Sequence, residues 1–335
     1  MRADELESLA GRVIVAGFPE ASPPPRLAEA LRHRALAGVV LFSRNARTPA
    51  AARALVEGLP SPPEGLIVAI DQEGGRVARL GAPMPKVPAA ALLGRGTPEA
   101  TRRIAETQGR ALRGAGISLN LAPVFDVHTH DANPVIGDRA FGRTPAHVVR
   151  HGRAFGAGLA AAGVDACAKH FPGHGDTSLD SHFALPRVRH DRGRLDAVEL
   201  AAFRGALALP AWMSAHVVYD ALDPGVPATL SRAVLTELAR GRLGFAGAML
   251  SDDLEMAAVR DAHGVVGAGV AALEAGCDLL LVCSEPDEAL ALRAALASRA
   301  GASAAFQQRL REAEGRASRL RRVHPSRLPA LSRRG

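Results

Sequence analysis

Eight short apolar segments recur along the chain, and each is followed by a turn and then by a stretch of helical periodicity. The segments cover residues 12–18, 38–42, 66–70, 117–123, 164–170, 211–217, 247–253 and 277–283. Near-continuous apolar strands are typical of parallel sheets buried on both faces, and their alternation with helices indicates βαβ units. A count of eight predicts an α/β fold, a single closed (β/α)8 barrel of the TIM type, rather than an open doubly wound sheet.

The distribution of linkers and charge predicts one domain. No proline-rich or low-complexity stretch divides the 335 residues, so we expect one barrel domain over residues 1–335, with a basic C-terminal helix and tail from about residue 304. The formal net charge is +7, but residues 316–335 are the one dense basic cluster. Binding of nucleic acid would need clustered charge with stacking aromatics, and aromatics are few. We therefore expect a solvated or frayed tail and no nucleic-acid partner.

The N-terminus and the cysteines indicate a compartment. The first 18 residues carry early acids and only a short apolar stretch around Val13, unlike a signal peptide. No apolar run approaches the roughly 18 residues of a membrane span. Cys167, Cys277 and Cys283 form no CxxC pair, which is typical of reduced core thiols. The sequence therefore predicts a cytoplasmic protein.

Polar side chains gather at the right-hand ends of the apolar segments. They are Asp71 and Glu73 after the third, Lys169 and His170 at the end of the fifth, His216 in the sixth, and Asp252 and Asp253 at the end of the seventh. Active sites of (β/α)8 barrels lie where the strands end, at the C-terminal face. We therefore expect these side chains to meet in one site.

Two glycine-containing loops supply further charged groups. The glycines of DQEGGRVARL (71–80) permit positive φ, and Asp71 and Arg79 belong either to a site or to a surface turn with an ion pair. In NPVIGDRAFG (133–142), Arg139 carries a planar fork suited to bidentate hydrogen bonds. The alternative for Arg139 is a structural pair with Asp138.

Residues 169–182, KHFPGHGDTSLDSH, are dense in titratable groups. His170 and His174 have the spacing of two zinc ligands on a helix, but the proline and glycines around them do not sustain a helix. A metal-dependent hydrolase using His170, His174 and His182 stays as an alternative. The interpretation we favour is a strand end followed by a loop that carries Asp180 and His182. Residues two apart point the same way in extended chain, so Asp180 can orient His182 as a general acid/base; otherwise the two are unrelated surface residues.

The segment GAMLSDDLEM (247–256) also has two interpretations. Asp252 precedes Glu255 by three residues, which is the spacing of a capping box at a helix start. The functional interpretation makes Asp252 a carboxylate nucleophile at a barrel strand end.

Taken together, DQEGGRVARL, NLAPVFDV, NPVIGDRAFG, KHFPGHGDTSLDSH, MSAHVVY and MLSDDLEM resemble glycoside hydrolase family 3. They are most similar to the cytoplasmic β-N-acetylglucosaminidases of cell-wall recycling, and the resemblance runs from about residue 10 to residue 285. The resemblance implies that Asp252 is the nucleophile and that His182 is the acid/base with Asp180 as its partner. It also implies that the sugar hydroxyls are bound by Asp71, Arg79, Arg139, Lys169 and His170.

The resemblance further implies a retaining glycosidase that releases terminal β-linked N-acetylglucosamine, without metal or other cofactor, from muropeptides or oligosaccharides. We expect a monomer. A carboxylate nucleophile implies a covalent glycosyl-enzyme. Since histidine replaces the usual second carboxylic acid, phosphate is an alternative acceptor, and a family 3 β-glycosidase or phosphorylase of other specificity stays possible. A non-catalytic sugar-binding protein is the alternative of another class; it would have no need of Asp252 or His182.

Overall fold

The computed structural model describes residues 2–328, and its centre is a closed barrel of eight parallel strands. The strands of the chain are β1 Ile14–Ala16, β2 Gly38–Leu41, β3 Ile67–Ile70, β4 Leu119–Asn120, β5 Asp165–Phe171, β6 Arg187–Val188, β7 Ala211–Ser214, β8 Val218–Tyr219, β9 Ala248–Asp253 and β10 Leu279–Val282. The barrel runs in the order β1-β2-β3-β4-β5-β7-β9-β10 and closes on β1, whereas β6 and β8 form a separate two-stranded sheet. Each of the eight apolar segments contains a barrel strand, so the predicted (β/α)8 fold is confirmed.

Helices surround the barrel. They are α1 Ala3–Gly11, α2 Pro25–Arg32, α3 Pro49–Glu57, α4 Ala90–Leu93, α5 Pro98–Gly114, α6 Pro145–Ala161, α7 Arg192–Ala197, α8 Glu199–Arg204, α9 Ala257–Ala275, α10 Pro286–Ala302 and α11 Ala304–Ala317. A π-helical segment spans Ala233–Arg242, and 3-10 turns span Gly137–Arg139, Ala228–Leu230 and Pro325–Arg327. Thr48 and Thr97 cap α3 and α5 through their hydroxyls, and each is followed by a proline at the first helical position, where the missing N–H costs nothing. None of the helices within residues 2–328 is long and apolar enough to cross a bilayer.

The strands are buried on both faces because alternate residues serve two cores. Val15, Val40 and Ile67 belong to the cluster that fills the barrel. Their neighbours Ile14 and Val39 pack outward with the helices. This alternation explains why the sequence shows continuous apolar runs in place of the polar–apolar alternation of a half-exposed sheet.

The basic C-terminal segment docks against the barrel, so the prediction of a solvated or frayed tail is wrong for residues 316–323. Leu320 joins the cluster inside the barrel, and Val323 forms an antiparallel bridge with Leu66 just before β3. Arg321 donates from its backbone N and its Nε to Asp165, the first residue of β5, at 2.6 and 3.0 Å. Residues 316–323 therefore cover the N-terminal mouth of the barrel. The C-terminal mouth stays accessible to a ligand. Residues 329–335 of the predicted tail lie outside the described residues.

Candidate active site

A cavity of about 230 Å³ opens at the C-terminal mouth of the barrel. Its lining includes all eight side chains singled out from the sequence: Asp71, Arg79, Arg139, Lys169, His170, Asp180, His182 and Asp252. The structure therefore brings together residues that are up to 181 positions apart in the chain. Their catalytic and binding roles stay predictions.

A buried network of charges forms one side of the cavity. Lys169, in β5, donates from Nζ to Asp71 Oδ1 at 2.5 Å and lies 2.7 Å from Glu73 Oε1. Arg139 binds the Glu73 carboxylate with both arms, from Nε at 2.9 Å and from Nη2 at 2.7 Å. The alternative pair of Arg139 with Asp138 is absent, since Asp138 is bound by Arg76 instead. We call Asp71, Glu73, Arg139 and Lys169 the charged floor.

Opposite charges within the charged floor favour the ionised forms of Glu73 and Lys169. Burial disfavours a charge on Glu73, but Lys169 and Arg139 outweigh burial and lower the pKa of its carboxyl far below the usual range. Burial likewise opposes the charge on Lys169, yet Asp71 and Glu73 raise the pKa of its ammonium group. At neutral pH Glu73 and Lys169 are therefore charged, which suits hydrogen bonding to hydroxyl groups of a ligand.

The side chain of Gln72 stabilises the loop that supplies Asp71 and Arg79. Gln72 accepts from the backbone N of Arg79 and of Leu80 at 2.8 and 3.0 Å. The expected positive φ occurs at Gly74 (112°) and Gly75 (56°). The Arg79 guanidinium lies 3.5 Å from Asp71 Oδ2, so the ion pair foreseen for a surface turn is present, but it lies in the wall of the cavity.

Asp126 anchors the strand end and the loop that follows it. Its carboxylate accepts from His170 Nδ1 at 2.7 Å and from the backbone N of His170 and His174 at 3.1 and 2.6 Å. Burial opposes its ionisation, but His170 and His174 lower its pKa. The bond from Nδ1 fixes the ring of His170, so its Nε2 is the nitrogen left for the cavity.

His174 is a structural residue of the loop. Its Nδ1 lies 2.7 Å from Thr177 Oγ1 and its Nε2 lies 3.1 Å from Ser181 Oγ. Burial lowers the pKa of the ring to about 4, so His174 is neutral at physiological pH. Because both ring nitrogens are engaged by hydroxyls, the structure does not offer His174 to a metal ion.

The metal alternative has no support in the rest of the site. Within the described part of the chain, no group of three or more His, Cys, Asp or Glu side chains has the arrangement of a metal centre. The segment after β5 is a turn-rich loop without helix, as its proline and glycines predicted. The i, i+4 spacing of the two histidines therefore does not place them on one helix face.

Asp180 and His182 form a local pair on the loop. Asp180 Oδ1 accepts from His182 Nδ1 at 2.7 Å and from the backbone N of His182 at 2.9 Å. Burial works against the charge on Asp180, but its bonds from His182 lower the pKa of the carboxyl. The His182 side chain is 61% exposed. With Nδ1 held by Asp180, Nε2 is the nitrogen that can exchange a proton with a substrate.

Asp252 lies near the end of a barrel strand and caps no helix. It belongs to β9, and α9 begins only at Ala257 with Met256 before it. Glu255 accepts from the backbone N of Ser284 and of Glu285 at 2.6 and 3.0 Å, so it ties the β10–α10 loop to β9. The capping-box interpretation is therefore wrong, because α9 begins after both acids and Glu255 binds backbone groups that follow β10.

The surroundings of Asp252 favour its ionised form. Burial raises the pKa of a carboxyl, but the nearby His170 and His216 side chains and the hydrogen bond from the backbone N of Asp253 lower the pKa of Asp252. The neighbouring Asp253 differs: burial and Glu255 raise its pKa. Asp253 Oδ1 accepts from the backbone N of Glu255 and Cys283 at 3.1 and 3.2 Å. Of the two adjacent acids, Asp252 is the one suited to act as a carboxylate at neutral pH.

Three functional side chains were not identified from the sequence. Glu73 was recognised only as a polar strand end, Asp126 only within a motif, and His216 had no assigned role. His216 Nε2 donates to the carbonyl of Asp253 at 2.9 Å and its Nδ1 lies 2.8 Å from Thr229 Oγ1, so the ring braces the end of β9. A buried acid after an apolar strand, as in the segment ending at Asp126, is the signal that could have identified it.

The comparisons with known proteins agree with the motifs. A family model described as "Glycosyl hydrolase family 3 N terminal domain" matches residues 10–319. A beta-hexosaminidase of Alkalilimnicola ehrlichii is 41% identical over 269 residues, covering 77% of this chain and 76% of that protein. A beta-hexosaminidase of Pseudomonas aeruginosa is 38% identical and covers 90% of this chain and 91% of its own length.

Solved structures give the same result. A family 3 β-N-acetylglucosaminidase from Paenibacillus superposes with a TM-score of 0.88 at 39% identity, covering 93% of this chain; this chain spans 61% of that longer protein. NagZ from Neisseria gonorrhoeae, solved with N-trifluoroacetyl-D-glucosamine, superposes with a TM-score of 0.78 at 33% identity, covering 92% of this chain and 98% of its own. The family expected from the sequence is confirmed: the chain belongs to glycoside hydrolase family 3.

Proposed function

We propose that this protein is a retaining exo-β-N-acetylglucosaminidase that releases terminal β-linked N-acetylglucosamine. The observation that carries the proposal is that two different groups line one cavity: Asp252, half-buried and favoured as a carboxylate, and His182, exposed and oriented by Asp180. The names of relatives with 38–41% identity, all beta-hexosaminidases, support the sugar specificity.

In the first step, an oxygen of the Asp252 carboxylate attacks the anomeric carbon. The bond from that carbon to the glycosidic oxygen breaks, and the leaving oxygen takes the proton from His182 Nε2. Asp180 stabilises the protonated ring beforehand and fixes the tautomer afterwards. The products of this step are a glycosyl ester of Asp252, a neutral His182 and the free leaving group.

In the second step, His182 takes a proton from water as the water oxygen attacks the anomeric carbon. The ester bond to Asp252 breaks, and the carboxylate is restored with net retention. The charged floor is proposed to bind the hydroxyls of the sugar, with His170 and Arg79 beside it. These contacts would hold the ring while its anomeric carbon moves between the two oxygens.

The natural substrate we propose is a muropeptide, and the compartment the cytoplasm, on the resemblance of KHFPGHGDTSLDSH and its companion motifs to the enzymes of cell-wall recycling. The experiment is hydrolysis of an aryl β-N-acetylglucosaminide and of the matching β-glucoside, with and without exhaustive chelation. We expect turnover of the first, little of the second, and no loss on chelation.

Three outcomes would contradict the proposal. Activity that chelation removes and zinc restores would establish a metal hydrolase. Release of sugar 1-phosphate in place of free sugar, when phosphate is added, would establish a phosphorylase. A protein that binds N-acetylglucosamine without turnover would be a sugar-binding protein, and Asp252→Asn would then leave its only measurable function intact.

A further inference from the structure

Exposed apolar side chains concentrate on the loop that carries Asp180 and His182. Of the five large hydrophobic residues that are exposed within residues 2–328, three lie between positions 179 and 185: Leu179, Phe183 and Leu185. Phe183 is 82% exposed and is the one aromatic ring among the five. The chain contains ten phenylalanines, so an exposed ring at this position is a departure from how the protein places the others.

Phe183 is tied to the same turn that orients the acid/base. The Asp180 carboxylate holds His182, and the Asp180 carbonyl accepts from the backbone N of Phe183 and of Ala184, both at 3.1 Å. The rings of His182 and Phe183 have centroids 6.4 Å apart and are tilted by 51°. Any movement of the turn therefore carries the imidazole and the phenyl ring together.

The position of His182 decides what can lie next to Phe183. A general acid must contact the glycosidic oxygen, so the group bonded to that oxygen lies within a few ångströms of the imidazole. The sugar to be released is directed to the charged floor, on the strand side of the cavity. The leaving group therefore lies on the side of this turn, and Phe183, which follows His182 in the chain, is the exposed aromatic ring beside that imidazole.

We propose that Phe183 is a leaving-group platform, against which the pyranose ring of the departing sugar packs its C–H face. This inference rests on the proposed function, because it takes His182 as the acid. Aromatic side chains supply large apolar area with few rotatable bonds, which suits contact with a sugar ring. Binding energy from a group remote from the breaking bond aligns that bond with His182.

The test compares two substrates that need the acid equally but differ in the ring. Methyl β-N-acetylglucosaminide and a β-1,4-linked N-acetylglucosamine disaccharide both release a basic alkoxide, yet only the disaccharide carries a leaving-group ring. In Phe183→Ala we expect kcat/KM for the disaccharide to fall roughly tenfold, the effect of one lost ring contact. For the methyl glycoside, kcat/KM should change less than about twofold. Phe183→Trp should restore kcat/KM for the disaccharide.

The matched control is Leu207→Ala, an exposed apolar side chain in the turn before β7, at the opposite end of the barrel. This variant should leave kcat/KM unchanged for both substrates. Equal losses on both substrates in Phe183→Ala would assign the ring to positioning His182 and overturn the proposal, as would no loss on either. A change in sedimentation coefficient would mean that the ring lies between two copies of the chain, which also overturns it. Wild-type protein that cleaves neither substrate would refute the proposed function itself, a result distinct from these.

Discussion

The two sides of the cavity hold their charged groups in different ways. On the strand side, the side chains of Lys169, Glu73 and Arg139 are 3%, 7% and 11% exposed, and each has an oppositely charged partner within 2.7 Å. On the loop side, His182 is largely exposed and is held by Asp180 alone. The first arrangement joins β5, the loop after β3 and the 3-10 turn Gly137–Arg139, whereas the second is a contact between residues two apart.

This difference separates two tasks of a glycosidase. A sugar ring must be held in one position throughout both steps, and fixed buried charges do that without reorganisation. The acid must meet a leaving group, let it depart and then activate water. A short-range pair on an exposed turn supports such a cycle, because a contact between residues two apart does not depend on where the turn lies relative to the barrel. The following predictions test this division, beginning with the largest effect.

Replacing Asp252 with alanine should remove the covalent route on which both sides depend. We expect kcat to fall by roughly 10⁴-fold or more for every leaving group. Added azide should enter the vacated space and restore turnover of an activated aryl glycoside, giving the α-glycosyl azide. Product analysis by NMR is the measurement. A β-glycosyl azide, or full activity without Asp252, would assign the nucleophile elsewhere.

Replacing His182 with alanine should remove the proton donor on the loop side and leave the charged floor intact. Cleavage of a disaccharide should slow by roughly 10²–10⁴-fold, because a basic alkoxide needs its proton in the transition state. An activated aryl glycoside should lose much less in the first step, and the glycosyl-enzyme should accumulate as a burst. Asp180→Asn should be a milder version, since it misorients the imidazole.

The measurement is a series of leaving groups of graded pKa. His33→Ala, an exposed histidine at the C-terminus of α2, is the control and should be unchanged. A uniform loss with no burst would remove the acid/base role from His182. His174, the next histidine along the loop, is then a poor substitute, because burial lowers its pKa to about 4 and both ring nitrogens are engaged.

Replacing Glu73 with glutamine should break the charged floor and leave the loop intact. Removing one partner of a buried pair leaves Lys169 and Arg139 undercompensated and should cost about 3–5 kcal/mol of unfolding free energy at pH 7. The folded pKa of Glu73 lies below its unfolded value, so its stabilisation is present above the unfolded pKa of about 4.3 and is lost as the pH falls. The two urea denaturation curves should therefore approach each other in acid.

Glu99→Gln is the matched control, since Glu99 pairs with Arg102 on the surface of α5 and should give no measurable change. A Glu73 variant as stable as the wild type at pH 7 would show that the floor is not held by its ion pairs. The leaving-group dependence of this variant should also match the wild type, because the acid is untouched.

Replacing His174 with asparagine should give the smallest effect, confined to a pH window. The folded pKa of about 4 lies below the unfolded value of about 6.5. Wild-type protein should therefore lose stability as the pH falls from about 6.5 towards 4, because the unfolded state takes up the proton first. In His174→Asn, the loss of unfolding free energy over this pH range should be smaller than in the wild type by roughly 1–3 kcal/mol. Identical pH profiles of the two proteins would contradict the buried, neutral state.

The sequence predicted which side chains meet on the strand side better than it predicted how they pair with one another. Strand ends follow from apolar periodicity, and a parallel barrel brings all of them to one mouth, which is why Asp71, Lys169 and Asp252 could be placed together. The partner of Arg139 could not be predicted, because Glu73 is 66 positions away and a nearer acid, Asp138, was available. The meeting of the loop after β3 with the 3-10 turn Gly137–Arg139 decides that choice.

The errors have a common physical cause. Asp252 and Glu255 have the spacing of a capping box, but the backbone N–H groups that bind Glu255 come from residues 284 and 285, after β10. The arginines from 316 onward looked solvated because Asp165 and Asp278, which bind Arg321 and Arg316, are distant in sequence. In both cases a local pattern competes with a tertiary contact that only the closed barrel creates.

The most direct test of the account is the stereochemistry of the first product, together with the site of covalent labelling. Hydrolysis of an aryl β-N-acetylglucosaminide, followed by NMR from the first seconds, should give the β-anomer before mutarotation. A fluorinated sugar with a good leaving group should label the peptide that contains Asp252, at Asp252 itself. An α-anomer as the first product, or a label on Asp253, would contradict retention through Asp252.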